Sequence, residues 1–408
     1  MVNKTYKATV LVTDVSRGCA IAIIRSLGRA GYKVIAADSD PDCLGFKSKY
    51  VWKKLIYPSP ENSPKEFTRL LLNEVTSQNV DLLIPTTELV IQPLLRNRKS
   101  FEDQTRLALP PTEQYKIVTD KEKTLVIARK HGVPEPKTRV VKTTEEALAC
   151  ANEIGWPIVL KPITSAKLLD EGTVESFEVT YAPTKEELER LMPKFEGKCE
   201  VLLQEFHKGK GVGVEMLMHE GRLITAFSHK RLREYPVSGG ASAYRESIEL
   251  DEELFTYSKA LLKELNWTGL AMVEFKVSGA EKVLMEINGR VWGSLPLAIA
   301  SGVDFPLILA EMELNGPEAA LSISPKEYEI GVRSRDLQRD MMWIACVLGQ
   351  KRKYPFLDMP KRMRAVYALA GFFNPKRKTD LFCLDDPKPA ILQIPRIIKK
   401  LIVKTRHV

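Results

Sequence analysis

Two stretches of this 408-residue sequence gather oxygen-bearing side chains at a spacing that chemistry can use: Glu274-Phe275-Lys276 and Met285-Glu286-Ile287-Asn288-Gly289-Arg290. Side chains alternate along a strand, so Glu286 and Asn288 are expected on one face together with Leu284. A turn centred on Gly279 pairs the two stretches antiparallel and puts Glu274 opposite Glu286 or one pair away. Two carboxylates and an amide oxygen then converge from adjacent strands. Mg²⁺ takes hard oxygen ligands in octahedral geometry, commonly one or two carboxylates completed by nucleotide phosphates and water. Arg290, just past the strand, is placed to meet an oxygen of a transferring phosphoryl group. Taken alone, the same residues also fit two solvated carboxylates on the outer face of an antiparallel sheet.

The surrounding pattern supplies elements to hold them. Ala8–Asp14 reads as a strand, Cys19–Ala30 as an amphipathic helix closed by Gly31, and Lys33–Ala37 as a second strand. Further buried-type strands fall at Val80–Ile84 and Arg106–Leu109. Strands alternating with helices imply a parallel, doubly wound sheet. The first strand–helix turn, Asp14-Val15-Ser16-Arg17-Gly18, is not G-x-G-x-x-G, which argues against dinucleotide binding. Past Pro110-Pro111, Asp120 is positioned to cap a helix that runs to His131 and stops at Gly132-Val133-Pro134. A helix from Thr143 to near Gly155 leads into the strand Trp156–Pro162, which carries Lys161 near its end. A helix around Lys185–Leu191 precedes strand-like runs at Val201–Phe206, Val212–Met218 and Leu223–Ser228. A helix at Asp251–Leu265 comes before the hairpin of Leu270–Val277 with Lys282–Asn288.

With these elements in order, the chain resembles the ATP-grasp superfamily, of the kind seen in the ATP-binding fold of carbamoyl-phosphate synthase and biotin carboxylase, over most of residues 8–312. The resemblance implies that Glu274, Glu286 and Asn288 hold two Mg²⁺ ions, with Mn²⁺ as an alternative, and that Glu286 bridges them. It gives Arg290 the role of stabilising phosphoryl transfer and the acyl phosphate. Lys121, following Asp120, resembles the first phosphate-contacting lysine, and Lys161 the second. Gln204-Glu205-Phe206-His207 resembles the hinge that reads adenine, its backbone near Phe206 and His207 pairing with the purine edge. His229–Pro236 resembles the stretch facing the phosphates and the acyl acceptor. Arg231 and Arg233, two apart there, are expected to enter one cleft as bidentate anion binders; a solvated charged strand is the other reading.

The match has departures. Many relatives have proline where this chain has Gly289. The loop after Lys161 is glycine-rich in many relatives, whereas Thr164–Gly172 offers hydroxyls and Lys167. The acid expected for the ribose hydroxyls falls on Gly211, with Glu215 further on. Ser294 lies near the expected substrate end.

Composition sets the remaining bounds. At 44% hydrophobic and 28% charged, the chain reads as an ordinary soluble globular protein. No apolar run approaches the length of a membrane-spanning helix, and the N-terminus lacks a signal-peptide pattern. Six cysteines (Cys19, Cys43, Cys150, Cys199, Cys346 and Cys383), with no CxxC, point to reduced thiols and a cytoplasmic location rather than a disulfide framework or zinc site. The net charge of +9 is unevenly placed: residues 331–408 hold 18 Lys and Arg against 6 Asp and Glu. This basic region reads either as helices with solvated charged faces, as a peripheral contact with anionic lipid, or as a site for an anionic substrate or partner. No zinc-finger or stacking motif accompanies the charge, which disfavours nucleic acid.

The expected architecture is therefore α/β and α+β. A Rossmann-like parallel sheet (residues 1–112) precedes a two-lobed ATP-grasp domain (113–315, small lobe to about 200, large lobe from about 201). A basic, mostly helical region (316–408) completes the chain, and a homodimer is one assembly open to it. By resemblance, ATP and Mg²⁺ serve a ligase that converts a small-molecule carboxylate to an acyl phosphate and couples it to an amine, releasing ADP and phosphate. An ATP-dependent phosphotransferase acting on an acidic substrate and a non-catalytic nucleotide-binding protein are the alternatives. Biotin-dependent carboxylation is disfavoured, since no biotinyl-lysine segment is seen.

Overall fold

A computed structural model describes residues 5–163, 166–168, 174–176, 179–350, 356–374 and 377–406. The first sheet is built from β1 (Thr9–Val12), β2 (Lys33–Asp38), β3 (Val51–Ile56), β4 (Leu82–Ile84) and β5 (Arg106–Leu107). It is wholly parallel, in the order β3-β2-β1-β4-β5. Its central strands are buried on both faces, which is why they read as unbroken apolar runs. The edge strand β3 instead alternates between half-buried and exposed residues. Between the strands lie α1 (Gly18–Arg29), α2 (Pro64–Ser77), α3 (Glu88–Arg96) and α4 (Arg98–Glu102). The strand order reverses between β1 and β4, so a crevice opens at their carboxyl ends. Asp14, Asp38 and Glu88 all sit there.

Two short helices, α5 (Thr112–Thr119) and α6 (Lys121–Lys130), lead out of this layer. Asp120 caps α6, its carboxylate accepting from the amides of Glu122 and Lys123, as its place before the helix implied. A second sheet follows, from β6 (Thr138–Val141), β7 (Ile158–Pro162), β10 (Thr180–Ala182) and β11 (Val201–Glu205), in the order β10-β7-β11-β6. A separate pair, β8 (Ala166–Leu168) with β9 (Val174–Ser176), lies between β7 and β10 in the chain. Helices α7 (Thr144–Ile154) and α8 (Lys185–Leu191) cover the second sheet and share its small core with Val141, Ile158, Leu160, Val201 and Leu203.

The third sheet holds Arg231, Arg233, Glu274, Glu286 and Asn288. Its strands are β12 (Lys210–His219), β13 (Arg222–Tyr235), β14 (Ala241–Ser247), β15 (Gly269–Ser278), β16 (Glu281–Asn288), β17 (Arg333–Arg335) and β18 (Arg377–Thr379). They run in the order β16-β15-β12-β13-β14-β17-β18, antiparallel except for the last pair. One face packs with α1, α10 (Leu295–Ala300), α11 (Phe305–Asn315) and the first sheet; the other packs on α9 (Glu252–Glu264) and α6. The sheet thus continues past residue 315, because β17 and β18 add two strands beyond β14. The remaining helices are α12 (Pro317–Ile323), α13 (Leu337–Gly349), α14 (Arg362–Ala370) and α15 (Lys388–Arg406). No helix among the described residues is long and apolar enough to cross a membrane.

Candidate active site

The hairpin β15–β16 pairs Glu274 directly with Glu286, and Met272 with Asn288. A bulge at Met285 shifts the register before the next pair, Phe275 with Leu284. The extra residue inverts the alternation. Leu284 therefore does not share the face of Glu286 and Asn288 as strict alternation suggested; it joins Phe275 in the core on the opposite side. Asn288 donates its side-chain N–H to Glu286 Oε1 at 3.2 Å, which leaves its amide oxygen for another partner.

Register extends this row across the sheet, from Glu286 through Glu274 and Gly213 to His229. Gly213 has no room for a side chain: a Cβ there would lie 2.7 Å from His229 Cε1 and 2.8 Å from Glu215 Oε1. His229 Nδ1 and Glu215 Oε1 are 2.5 Å apart and fully buried. One row along, Arg231 reaches over Gly211 and pairs with Glu274. Glu234 fills the same space, its Oε1 lying 2.9 Å from where a Gly211 Cβ would stand. A carboxylate thus occupies the spot above Gly211, but it comes from β13 and not from β12.

Lys121, Glu286, Asn288 and Arg290 line one cleft, together with Glu88, Tyr115 and Thr119. Arg290 Nε bonds Glu88 Oε1 at 3.1 Å, tying the hairpin to the crevice of the first sheet. Lys121 Nζ donates to the carbonyl of Pro162 at 3.3 Å, holding α6 against the end of β7. Burial works to raise the pKa of Glu286, but the charges of Lys121 and Lys161 outweigh it and hold the carboxylate below its usual range. Glu274 is pushed the other way by burial, with Arg231 opposing. Burial also pulls the Lys161 ammonium down to about 8, with Glu286 working against that fall.

The hinge residues lie where the second sheet ends. Gln204 is buried, and its Nε2 donates to Thr138 Oγ1 at 3.1 Å. Its Oε1 is buried with no hydrogen-bond partner among the described residues. Glu205 is tied by its backbone to Lys137. Phe206 packs edge-on against Phe356, with ring centroids 5.5 Å apart. His207 Nε2 lies 3.7 Å from Glu281.

Arg233 is not brought to this cleft. A bulge at Leu232 pairs Arg231 with Arg245 but Arg233 with Tyr244, so the two arginines project from opposite faces despite their spacing. Arg233 instead makes two bonds to the buried Asp340 on α13, at 2.7 and 2.8 Å, and stacks on Tyr244. Ser294 is buried at the N-terminus of α10. The stretch Thr164–Gly172, expected over the phosphates, lies outside the described residues apart from the backbone of 166–168. Gly289 is pressed on Trp267: a Cβ would come within 2.5 Å of the ring. Among the described residues, no three His, Cys, Asp or Glu gather as metal ligands. The set here is two carboxylates and an amide oxygen. Such hard oxygens fit Mg²⁺ when phosphate and water complete its shell.

Comparison with known proteins decides the fold. A biotin carboxylase from Campylobacter jejuni, solved as a β-γ-ATP complex, superposes with a TM-score of 0.60 at 16% identity, over 80% of this chain and 74% of its own. The family model described as ATP-grasp in the biosynthetic pathway with Ter operon matches residues 198–336. The chain carries the ATP-grasp fold. Other ATP-grasp-like structures include N5-carboxyaminoimidazole synthetase from Staphylococcus aureus (TM-score 0.59, 13% identity, 81% of this chain, 82% of that one). An L-amino acid ligase from Bacillus licheniformis gives 0.58 at 17%, over 79% and 78%. Among curated proteins, the carbamoyl phosphate synthase large chain of Thermus thermophilus is 26% identical over 324 residues, 76% of this chain. The chain spans only 29% of that relative's length.

Sequence reasoning missed Glu88, Tyr115 and Thr119 as lining residues, and Glu234 above Gly211. Glu88 could have been found from its place just after β4, at the mouth of the crevice where the strand order reverses. Glu234 had no local signal, because two register shifts set its direction.

Proposed function

We propose that this chain is a Mg-ATP-dependent ligase that joins a carboxylate to an amine through an acyl phosphate. The observation that carries the reading is the direct pairing of Glu274 with Glu286, with Asn288, Lys121 and Arg290 at the same cleft. Lys121 and Lys161 neutralise nucleotide phosphates, and the unpartnered Gln204 Oε1 accepts from the adenine amino group. Glu234, which stands over Gly211 between Arg231 and Lys276, is the acid we assign to the ribose hydroxyls. Glu274, Glu286 and Asn288 hold Mg²⁺, which when bound spreads the charge of the phosphate oxygens. Arg290, anchored by Glu88, faces the transferring phosphoryl group.

The substrate carboxylate oxygen bonds to the γ-phosphorus while the bond from that phosphorus to the bridging oxygen breaks, releasing ADP. The amine nitrogen then bonds to the acyl carbon, phosphate leaves with the oxygen, and the nitrogen loses a proton. Burial of the cleft keeps water from the acyl phosphate. An L-amino acid ligase among the proteins of this fold and a carbamoyl phosphate synthase large chain among the sequence relatives are in keeping with the reading.

The test is Mg²⁺-dependent ADP and phosphate release against a panel of carboxylates, each with and without an amino-acid or polyamine mixture. Release that requires both partners is the expected result. Release that never depends on an amine would replace the ligase with a phosphotransferase.

A further inference from the structure

The helix α15 has an apolar stripe that no other described residue buries. It docks on α13 and the N-terminal layer through Pro389, Gln393 and Ile397, spaced at i, i+4 and i+8. Ile391, Ile394 and Ile398 stand 57, 50 and 52% exposed. Their spacing of three and four puts them on a single stripe, turned away from the docked face. Just before the helix, Phe382 and Leu384 are exposed as well. Scattered exposed apolar residues need no explanation, whereas an aligned stripe on a well-docked helix does.

The charge on the helix is of one sign: it holds Lys388, Arg396, Lys399 and Lys400 and no acidic residue. Lys388 and Lys399 flank the stripe. At its N-terminal end a groove of about 400 Å³ is lined by Lys47, Lys49, Lys54 and Lys388. The groove's acids are already engaged: Asp385 pairs with Arg29, and Asp386 with Arg25. We infer that this face of α15 is a docking surface for an anionic lipid bilayer, lying in the interface with its isoleucines among the acyl chains and its lysines on headgroup phosphates. The length and pattern suit a helix lying in the membrane plane, not one crossing it. This inference stands apart from the ligase reading, since no catalytic residue takes part.

The test is flotation of the full-length protein with phosphatidylcholine vesicles, with and without phosphatidylglycerol. Wild type is expected to float only with the anionic vesicles and to be released by raised salt. Ile394→Ser/Ile398→Ser should weaken partitioning roughly tenfold or more, and Lys388→Gln/Lys399→Gln should weaken it without changing the thermal midpoint. Because the isoleucines are exposed, the serine variant keeps the wild-type circular dichroism spectrum. Failure of wild type to float with anionic vesicles would overturn the inference. So would a wild-type dimer that the serine variant turns into monomer, which would make the stripe a subunit interface.

Discussion

At the level of single residues, the site is governed by the balance of charge around Glu286. The carboxylate is kept ionised by Lys121 and Lys161, while burial draws the Lys161 ammonium down to about 8 from an ordinary 10.5. The unfolded chain therefore holds this proton between those two values when the folded chain has lost it. That makes the Lys161 contribution to stability rise with pH across that window, and makes its charged form a cost below about 8. Lys161→Met should raise stability at neutral pH, by about 3 kcal/mol at most, while weakening nucleotide binding; thermal melts with and without Mg-ATP separate the two effects. Phosphates favour the ammonium form, so nucleotide binding by wild type above pH 8 should take up a proton. Calorimetry in buffers of different ionisation enthalpy reads that uptake directly. Glu286→Ala should abolish Mg²⁺-dependent ADP release with the fold retained. Wild-type-like ATP consumption by that variant would remove Glu286 from the metal site.

Individual strands owe their aim to bulges and glycines. The bulge at Leu232 separates Arg231, which holds Glu274, from Arg233, which is clamped by Asp340. Asp340 also pairs with the buried Arg335 at 3.2 Å, so replacing it by alanine leaves Arg233 and Arg335 without their buried partner and should cost about 3–5 kcal/mol. The KM for ATP of the folded fraction should be unchanged. Loss of nucleotide affinity in that variant would return Arg233 to the cleft. Gly289→Ala drives a Cβ into Trp267 and should cost about 1–3 kcal/mol, read from the urea midpoint.

In the whole molecule, the C-terminal residues are tied both to the large sheet and to the N-terminal layer. They extend the large sheet through β17 and β18, and Asp386 locks α15 to the N-terminal layer. Its carboxylate accepts from Arg25 at 2.8 Å, Ser48 at 2.7 Å and the Lys49 amide at 2.9 Å. Burial works to raise its pKa, yet these bonds outweigh it and hold the group below its ordinary 3.8. The stabilisation is therefore present above that ordinary value and is lost as pH falls through the lower folded one. Asp386→Ala, which leaves the buried Arg25 only the backbone carbonyl of residue 386, should undock α15 and open the chain near residue 385 to protease at neutral pH. Equal protection of variant and wild type would show that the helix is held mainly by its apolar contacts.

The sequence by itself determined the local elements and the candidate residues they carry. Alternating strands and helices foretold a parallel first sheet, Asp120 announced its helix, and the spacing of Glu274, Glu286, Asn288 and Arg290 marked one hairpin as the candidate site. These features are legible because propensity, capping and the two-residue period act over a few neighbouring positions. Only the tertiary structure decided which way Leu284, Arg233 and Glu234 point, since one extra residue in a strand reverses everything after it and leaves no local trace. It likewise decided that Glu88 meets Arg290 across 202 positions of chain, and that the basic C-terminal region completes a sheet begun far upstream. Such pairings depend on which surfaces the packed layers bring together, and no window of sequence contains both partners.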